Sequence, residues 1–412
     1  MKKISFALTL IIILSCMALF SSCSKTLKSV DFGPTGTWVF GTPQTGMIVI
    51  TGTLYGYNLN TLKNARDEIV TTLKSMNEEL NTVDRKSVIY QFNNYGADDN
   101  FDPAKKFYIS EYLYHMLTVA KEFRSNANGM LTIDGEEFNV NEYFNPAIYP
   151  LMELWELDST NIHDETQRTS VPSTEQIEQC LPYTDFEKVH FGKDENGYYM
   201  TKDIKEIKLD FGGQAKGYGT DLAVEICKKY NIKGAFFNIG GNVFVYKQKP
   251  LDDGTTQKWN AGITMPIQHQ QSAFCALKLE NTSVVTSGDY NRYFMFNGVK
   301  YAHILNPFNG LPVNITRDEE GNDSYNQSGL ISVTIIDQNS ELSDIYAKIV
   351  MLLGMENGVK YMNQNNLSGV LISNDKRFAA VGKLEQYDSY GALGYQDYTA
   401  YVDAGGVEYS FK

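Results

Sequence analysis

Cysteine is scarce in this chain: five residues in 412, at Cys16, Cys23, Cys180, Cys227 and Cys275. Beyond Cys23 three remain, scattered in spacing, which excludes complete internal pairing and fits neither a zinc site nor a disulfide scaffold. Cys227 falls in the apolar pattern of a helix and reads as core. Histidine is as rare, with five residues and no paired spacing, so no histidine-based metal cluster is encoded. Positive charge is in deficit: 36 Lys and Arg face 49 Asp and Glu, for a formal charge of −13. That balance argues against nucleic acid or an anionic bilayer face as partner. Beyond the N-terminus no apolar run is long enough to cross a membrane. Short repeats and low-complexity tracts are absent too. Tyrosine (27) and phenylalanine (22) are abundant, which suits ring-lined pockets and, more commonly, core packing.

The one long apolar run lies at the start. Lys2 and Lys3 precede Ile4 to Phe20, and Ser21-Ser22-Cys23 follows. A charged start, a short apolar core and small residues before a boundary describe a secretory leader over residues 1–22. A cysteine directly behind two serines points to a lipoprotein leader, with lipid on Cys23. Phe20 stands where leucine is commoner, and Cys16 is a less suitable acceptor. The competing reading, a signal-anchor helix, meets a run that is short and interrupted by Ser5, Thr9 and Ser15. The expectation is an exported body in the bacterial cell envelope, held at a membrane by lipid. Residues 23–44, rich in Ser, Thr, Gly and Pro, read as a tether. Residues 45–412 read as one large domain.

Within that domain, alternation marks strands near 46–57, 234–238, 242–247, 259–264, 274–279, 292–297 and 329–336. Helices are predicted over about 61–80, with Leu62, Ile69, Leu73 and Met76 on one face, and over 104–127. Others open behind Val171-Pro172-Ser173 and run from Ser343 to Leu353, ending at Gly354. Segments 130–143, 156–170 and 314–328 read as polar loops. Strands and helices mix without regular βαβ alternation, so the fold class is α+β.

The most informative stretch is Asp210-Phe211-Gly212-Gly213-Gln214-Ala215-Lys216-Gly217-Tyr218-Gly219-Thr220-Asp221. It lies between an alternating run (Ile204 to Leu209) and an amphipathic one (Leu222 to Tyr230), which predicts strand, glycine turn and helix. Backbone N–H groups of such a turn can face an anion, and Lys216 adds a mobile positive charge. The pattern is neither a P-loop nor a Gly-x-Gly-x-x-Gly turn. A phosphate-bearing ligand and a plain tight turn both remain open on local chemistry alone.

Further motifs follow in order. They are Asn238-Ile239-Gly240-Gly241-Asn242, Trp259-Asn260-Ala261-Gly262-Ile263, Thr286-Ser287-Gly288-Asp289-Tyr290-Asn291-Arg292, His303-Ile304-Leu305-Asn306-Pro307-Phe308-Asn309-Gly310 and Ser343-Asp344-Ile345-Tyr346-Ala347-Lys348. Upstream lie Gly52-Thr53-Leu54-Tyr55, Leu80-Asn81-Thr82-Val83-Asp84 and Phe144-Asn145-Pro146-Ala147. This ordered set resembles the ApbE family, the bacterial FAD:protein FMN transferases. The resemblance implies that FMN moves from FAD to a Thr or Ser hydroxyl of an exported acceptor flavoprotein, with Mg2+ and release of AMP. It implies that Gly212, Gly213, Ala215 and Lys216 line a phosphate cradle. Ser287, Gly288, Tyr290 and His303 would embrace the flavin diphosphate, and Asp221 and Asn242 would help hold the nucleotide. Lys216, His303 and Asp344 are the implied catalytic residues. A lone histidine is otherwise more often structural. Ala215, through its carbonyl, and Asp344 are the implied metal ligands.

The sequence departs from the family at several of these points. Lys348 stands where a metal-binding threonine is usual, and Asn242, Asn306 and Asn145 stand where aspartate is. Asn309 and Ala147 replace threonines, and Thr51 a methionine. An ammonium four residues after Asp344 shares its helical face and cannot ligate a metal while charged. Three outcomes compete: Lys348 swings to solvent beside a weakened metal site, serves as a built-in counter-ion to the diphosphate, or makes a plain surface ion pair. Three functional readings follow. They are a transferase, a relative that binds FAD without transferring FMN, and a scaffold that displays its polar loops to a partner.

Overall fold

The computed structural model describes residues 26–33, 36–40, 48–97, 100–157, 168–267, 272–290, 292–386 and 394–411. The leader and Cys23 lie outside the described residues. No helix among those described is long and apolar enough to cross a membrane.

The backbone of the fold is a ten-stranded sheet. Its strands are β1 (Lys28–Asp31), β2 (Thr37–Phe40), β3 (Ile48–Gly56), β4 (Gly234–Ile239), β5 (Asn242–Tyr246), β6 (Thr282–Gly288), β7 (Leu330–Asp337), β8 (Ser368–Ser373), β9 (Arg377–Val381) and β10 (Thr399–Ala400). The order is β1-β3-β4-β5-β6-β7-β8-β9-β10, with β2 also on β3. Every pairing is antiparallel except β9 with β10. Both faces are covered, so alternate residues feed two separate cores: Leu371, Ala379 and Val381 join one, Val370, Ile372, Phe378 and Ala380 the other.

Helices α1 (Leu59–Leu80), α2 (Glu111–Arg124), α3 (Ala215–Lys229) and α4 (Ser340–Gln364) belong to the first core. The hairpin of Trp259–Thr264 and Ala273–Leu279 belongs to the second. The α+β reading holds, and Leu62, Ile69, Leu73 and Met76 are buried on α1 as their spacing requires.

Several local expectations fail for identifiable reasons. Residues 28–31 and 37–40, expected within a tether, are strands whose Val30, Val39 and Phe40 are buried. Ser and Thr enrichment concealed their period of two. The helix expected over 104–127 begins only at Glu111, because Phe107–Ile109 pairs with Tyr198–Met200 and Ser110 caps the helix. The polar segments 130–143 and 314–328 contain hairpins, Met130–Ile133 with Glu136–Asn139 and Ile315–Arg317 with Asp323–Tyr325. The second is clamped by Arg317, which meets both oxygens of Asp323 at 2.6 and 2.8 Å. The helix from residue 340 does break at Gly354, where φ is +73°, but helical turns resume and reach Gln364.

The glycine stretch is where the chain differs most from expectation. Residues 204–209 are no strand. Their backbone groups are met by side chains: Lys202 Nζ donates to the carbonyls of Lys205 and Ile207 at 2.8 and 2.9 Å. Asn93 bonds both the N–H and the carbonyl of Leu209. Helix α3 starts at Ala215, seven residues before the amphipathic pattern at Leu222. Its first two turns carry glycine for a packing reason. A Cβ on Gly217 would stand 2.3 Å from the Ser340 carbonyl oxygen and 2.7 Å from Glu341 Cα. Only a bare Cα lets the starts of α3 and α4 approach this closely.

Candidate active site

The N-terminus of α3, the first turns of α4, the β4–β5 turn and one hairpin end converge on a cluster of charged groups. The β4–β5 connection is a two-residue turn, with Gly240 at φ +56° and Gly241 at +97°, the sign a tight hairpin requires. Gly240 also makes room for Ile48, whose Cγ2 lies 2.5 Å from where a Gly240 Cβ would stand, and the Lys216 stem packs at contact distance beside it.

Asp344 sits at the centre, 1 % exposed. Its Oδ1 accepts from Lys348 Nζ at 2.6 Å. Its Oδ2 accepts from the Gly217 N–H and from Asn242 Nδ2, each at 3.1 Å, with Lys216 Nζ 3.9 Å away. Burial pushes the carboxyl up, but Lys216, Lys348 and these donors outweigh it and hold the group below the usual aspartate range. Lys348 Nζ also donates to the Asp344 carbonyl at 3.0 Å. Burial lowers the ammonium, and Asp344 opposes that shift. The lysine stem lies under the glycine turn, its Cδ and Cε 3.4 Å from the position a Gly213 Cβ would take. Phe144 approaches the same point to 3.3 Å.

The hairpin of Tyr293–Phe296 and Val299–Ala302 supplies the opposite side. Its register places Arg292 across from His303, and the Arg292 carbonyl accepts from the His303 N–H at 3.2 Å. His303 Nδ1 lies 3.2 Å from the same carbonyl, which assigns the ring proton to Nδ1 and leaves the Nε2 lone pair free of it. Burial, with Arg292, Lys216 and Lys348 nearby, pushes this imidazole well below its ordinary value, so it is neutral near pH 7. Asp210 closes the ring of charges. It accepts from the Gly212 N–H at 2.8 Å, and burial raises its carboxyl despite Arg292, Lys216 and Lys348.

Three cations and two carboxylates therefore surround the glycine turn. Their sum is one net positive charge, so the turn favours an anion. Phe138, Tyr143 and Phe308 meet edge to face, and Phe308 is in the loop that follows His303.

The expected site residues divide accordingly. Gly212, Gly213, Ala215, Lys216, Asn242, His303 and Asp344 come together. Ser287 and Gly288 end β6, and the Tyr290 ring packs over Gly288. Asp221 has a different task. Its carboxylate accepts from the Ser340 and Glu341 N–H groups at 3.0 and 2.9 Å and caps α4, and burial pushes it up to about 6. Asn306 and Asn309 accept from N–H groups of their own loop, at Phe308 and Leu311, so these two changes are absorbed by the turn. Asn145 does likewise with Ala147.

Arg292 was missed as a site residue although it lies inside a quoted motif. So was the buried chain in which Gln214 Nε2 donates to Glu341 Oε1 at 2.7 Å and Glu341 meets His115 at 2.9 Å. A cleft of about 420 Å³ lined by Asn306, Asn309, Met351 and Gly354 touches none of Lys216, His303, Asp344 or Lys348.

A divalent metal does not fit the donors present. Magnesium asks for near-octahedral oxygen ligands. Here both Asp344 oxygens are engaged by N–H donors, and an ammonium stands where a ligand hydroxyl was implied. No group of three or more His, Cys, Asp or Glu able to hold a metal exists among the described residues.

Comparison with known proteins places this architecture. The profile of the ApbE family matches residues 47–371, and the chain belongs to that family. It is 26% identical over 314 residues to the FAD:protein FMN transferase of Vibrio cholerae, covering 75% of this chain and 79% of that protein. It is 31% identical over 221 residues to the enzyme of that name from Klebsiella pneumoniae, covering 54% of this chain and 60% of that one. Among solved structures, the ApbE protein of Thermotoga maritima superposes with a TM-score of 0.63 at 23% identity, over 89% of this chain and 99% of its own. The flavin transferase ApbE of Vibrio cholerae gives 0.61 at 20% identity, over 90% and 99%. The shared fold is thus that of the flavin transferases.

Proposed function

We propose that this protein is an FAD:protein FMN transferase that acts on an acceptor flavoprotein outside the cytoplasm. The observation that carries the reading is His303, its Nδ1 held on the Arg292 carbonyl, beside three cations at the glycine turn. In the proposed step a Thr or Ser hydroxyl oxygen attacks the FMN-side phosphorus of FAD. The P–O bond to the AMP phosphate breaks as the new one forms. The hydroxyl proton passes to His303 Nε2, and AMP departs against Lys216. Phosphoryl transfer of this kind depends on positioning and charge neutralisation far more than on covalent help.

A second reading, an FAD binder without transfer, is favoured by one observation: Lys348 saturates the carboxylate that a metal would share. Incubation with FAD and a family-type acceptor peptide separates the two. Release of AMP with a labelled peptide hydroxyl is the expected result. Saturable FAD binding without AMP would make the protein a binder.

We also propose that lipid on Cys23 holds the protein at the cell envelope, a reading supported by the leader pattern alone. Cys23→Ser should move the protein from the membrane fraction to the soluble one; an unchanged distribution refutes the anchor.

A further inference from the structure

We infer that the Lys348 ammonium, locked to Asp344, performs at the diphosphate the neutralising work of a divalent cation, so that this protein needs no metal to turn FAD over. The inference rests on the proposed FMN transfer but is carried by separate observations. The ammonium makes two bonds to one residue, to Asp344 Oδ1 at 2.6 Å and to its carbonyl at 3.0 Å, which fixes it in place. Its stem runs beneath Gly213, so the charge stands at the glycine turn that leads into α3, beside Lys216. A fixed point charge there is preorganised and requires no rearrangement as negative charge shifts onto the departing AMP.

Asn242 is the second half of the device. It is fully buried, and its Nδ2 donates to the other oxygen of the same carboxylate at 3.1 Å. An aspartate here would set two carboxylates in contact and demand a cation of higher charge between them. The amide removes that demand. With Asn242, a single ammonium balances Asp344, whereas two carboxylates would call for a doubly charged ion. The two departures from the family pattern therefore meet on one side chain and compensate one another in charge. The Asn242 Oδ1 is buried and has no hydrogen-bond partner among the described residues.

The test uses the full chain with FAD and a family-type acceptor peptide, with FAD binding and AMP release followed in parallel, in EDTA and in millimolar Mg2+. The parent should bind FAD and release AMP within about twofold under both conditions. Lys348→Met should weaken FAD binding in EDTA by about tenfold and slow release by roughly 100-fold, the scale of one lost preorganised charge. Lys348→Arg should retain most of both. The double variant Asn242→Asp with Lys348→Thr should acquire saturable Mg2+ binding by calorimetry, and its FAD binding should become EDTA-sensitive. Lysine-dependent, EDTA-insensitive FAD binding without AMP would end the transferase reading and leave the charge replacement standing. A parent whose FAD binding or AMP release collapses in EDTA overturns the inference. So does FAD binding in EDTA that is indifferent to Lys348→Met.

Discussion

Replacement of His303 by glutamine should lower the rate of FMN transfer by about 10²–10⁴-fold, the usual worth of a positioned proton acceptor, while FAD affinity changes little. Glutamine fills similar space and can still donate to the Arg292 carbonyl, so the hairpin end that carries residue 303 should hold its place. What it lacks is the basic lone pair of Nε2. The pH profile gives an independent check. Burial and three neighbouring cations hold the imidazole well below its ordinary value, so it is already deprotonated where an exposed histidine would titrate. The parent rate should therefore stay level through the ordinary histidine range, and the acid limb should appear only at lower pH. A limb centred in that range, or a His303→Gln enzyme with full turnover, would remove His303 from the reaction.

Gly217→Val should act on stability as well as binding. Its Cβ would meet the Ser340 carbonyl oxygen at 2.3 Å, and backbone cannot step aside as a side-chain end can. Overpacking of this kind destabilises by about 1–3 kcal/mol and sometimes more. Pushing α3 from α4 also stretches the bond between the Gly217 N–H and Asp344, which loosens the charged cluster. The expected result is a lower urea midpoint together with weaker FAD binding. An unchanged midpoint would mean that the two helices do not approach as closely as described.

Much of this was legible in the chain. Leu62, Ile69, Leu73 and Met76 announced α1, and period-two runs announced four of the ten strands of the sheet, β3, β4, β5 and β7. The ordered motifs brought Lys216, His303 and Asp344 to one place before any geometry was known. The failures share a cause: they lie where tertiary contacts replace local preference. Glycine at 217 read as turn because nothing in the local sequence reveals Ser340 on the far side. Residues 204–209 alternate like a strand, yet side chains of Asn93 and Lys202 take the bonds a neighbouring strand would have made. Asp221 looked like a ligand holder because its partners, the N–H groups of 340 and 341, are more than a hundred residues away. Lys348 was recognisable as a departure, but only the structure joins it with Asn242 on one carboxylate.

The cap that Asp221 places on α4 has a consequence for direction. Two helices begin within a few ångströms of each other, and each start carries the positive end of a helix dipole. Two equal poles would offer an incoming diphosphate two competing registers. Asp221 covers the N–H groups that open α4 with a carboxylate, while Gln214, the residue before α3, makes no capping bond of its own. Each start thus meets a carboxylate, α4 that of Asp221 and α3 that of Asp344 through the Gly217 N–H, but only Asp344 is offset by Lys216 and Lys348, so the positive field lies on the α3 side and gives an asymmetric dinucleotide one axis along which head is told from tail.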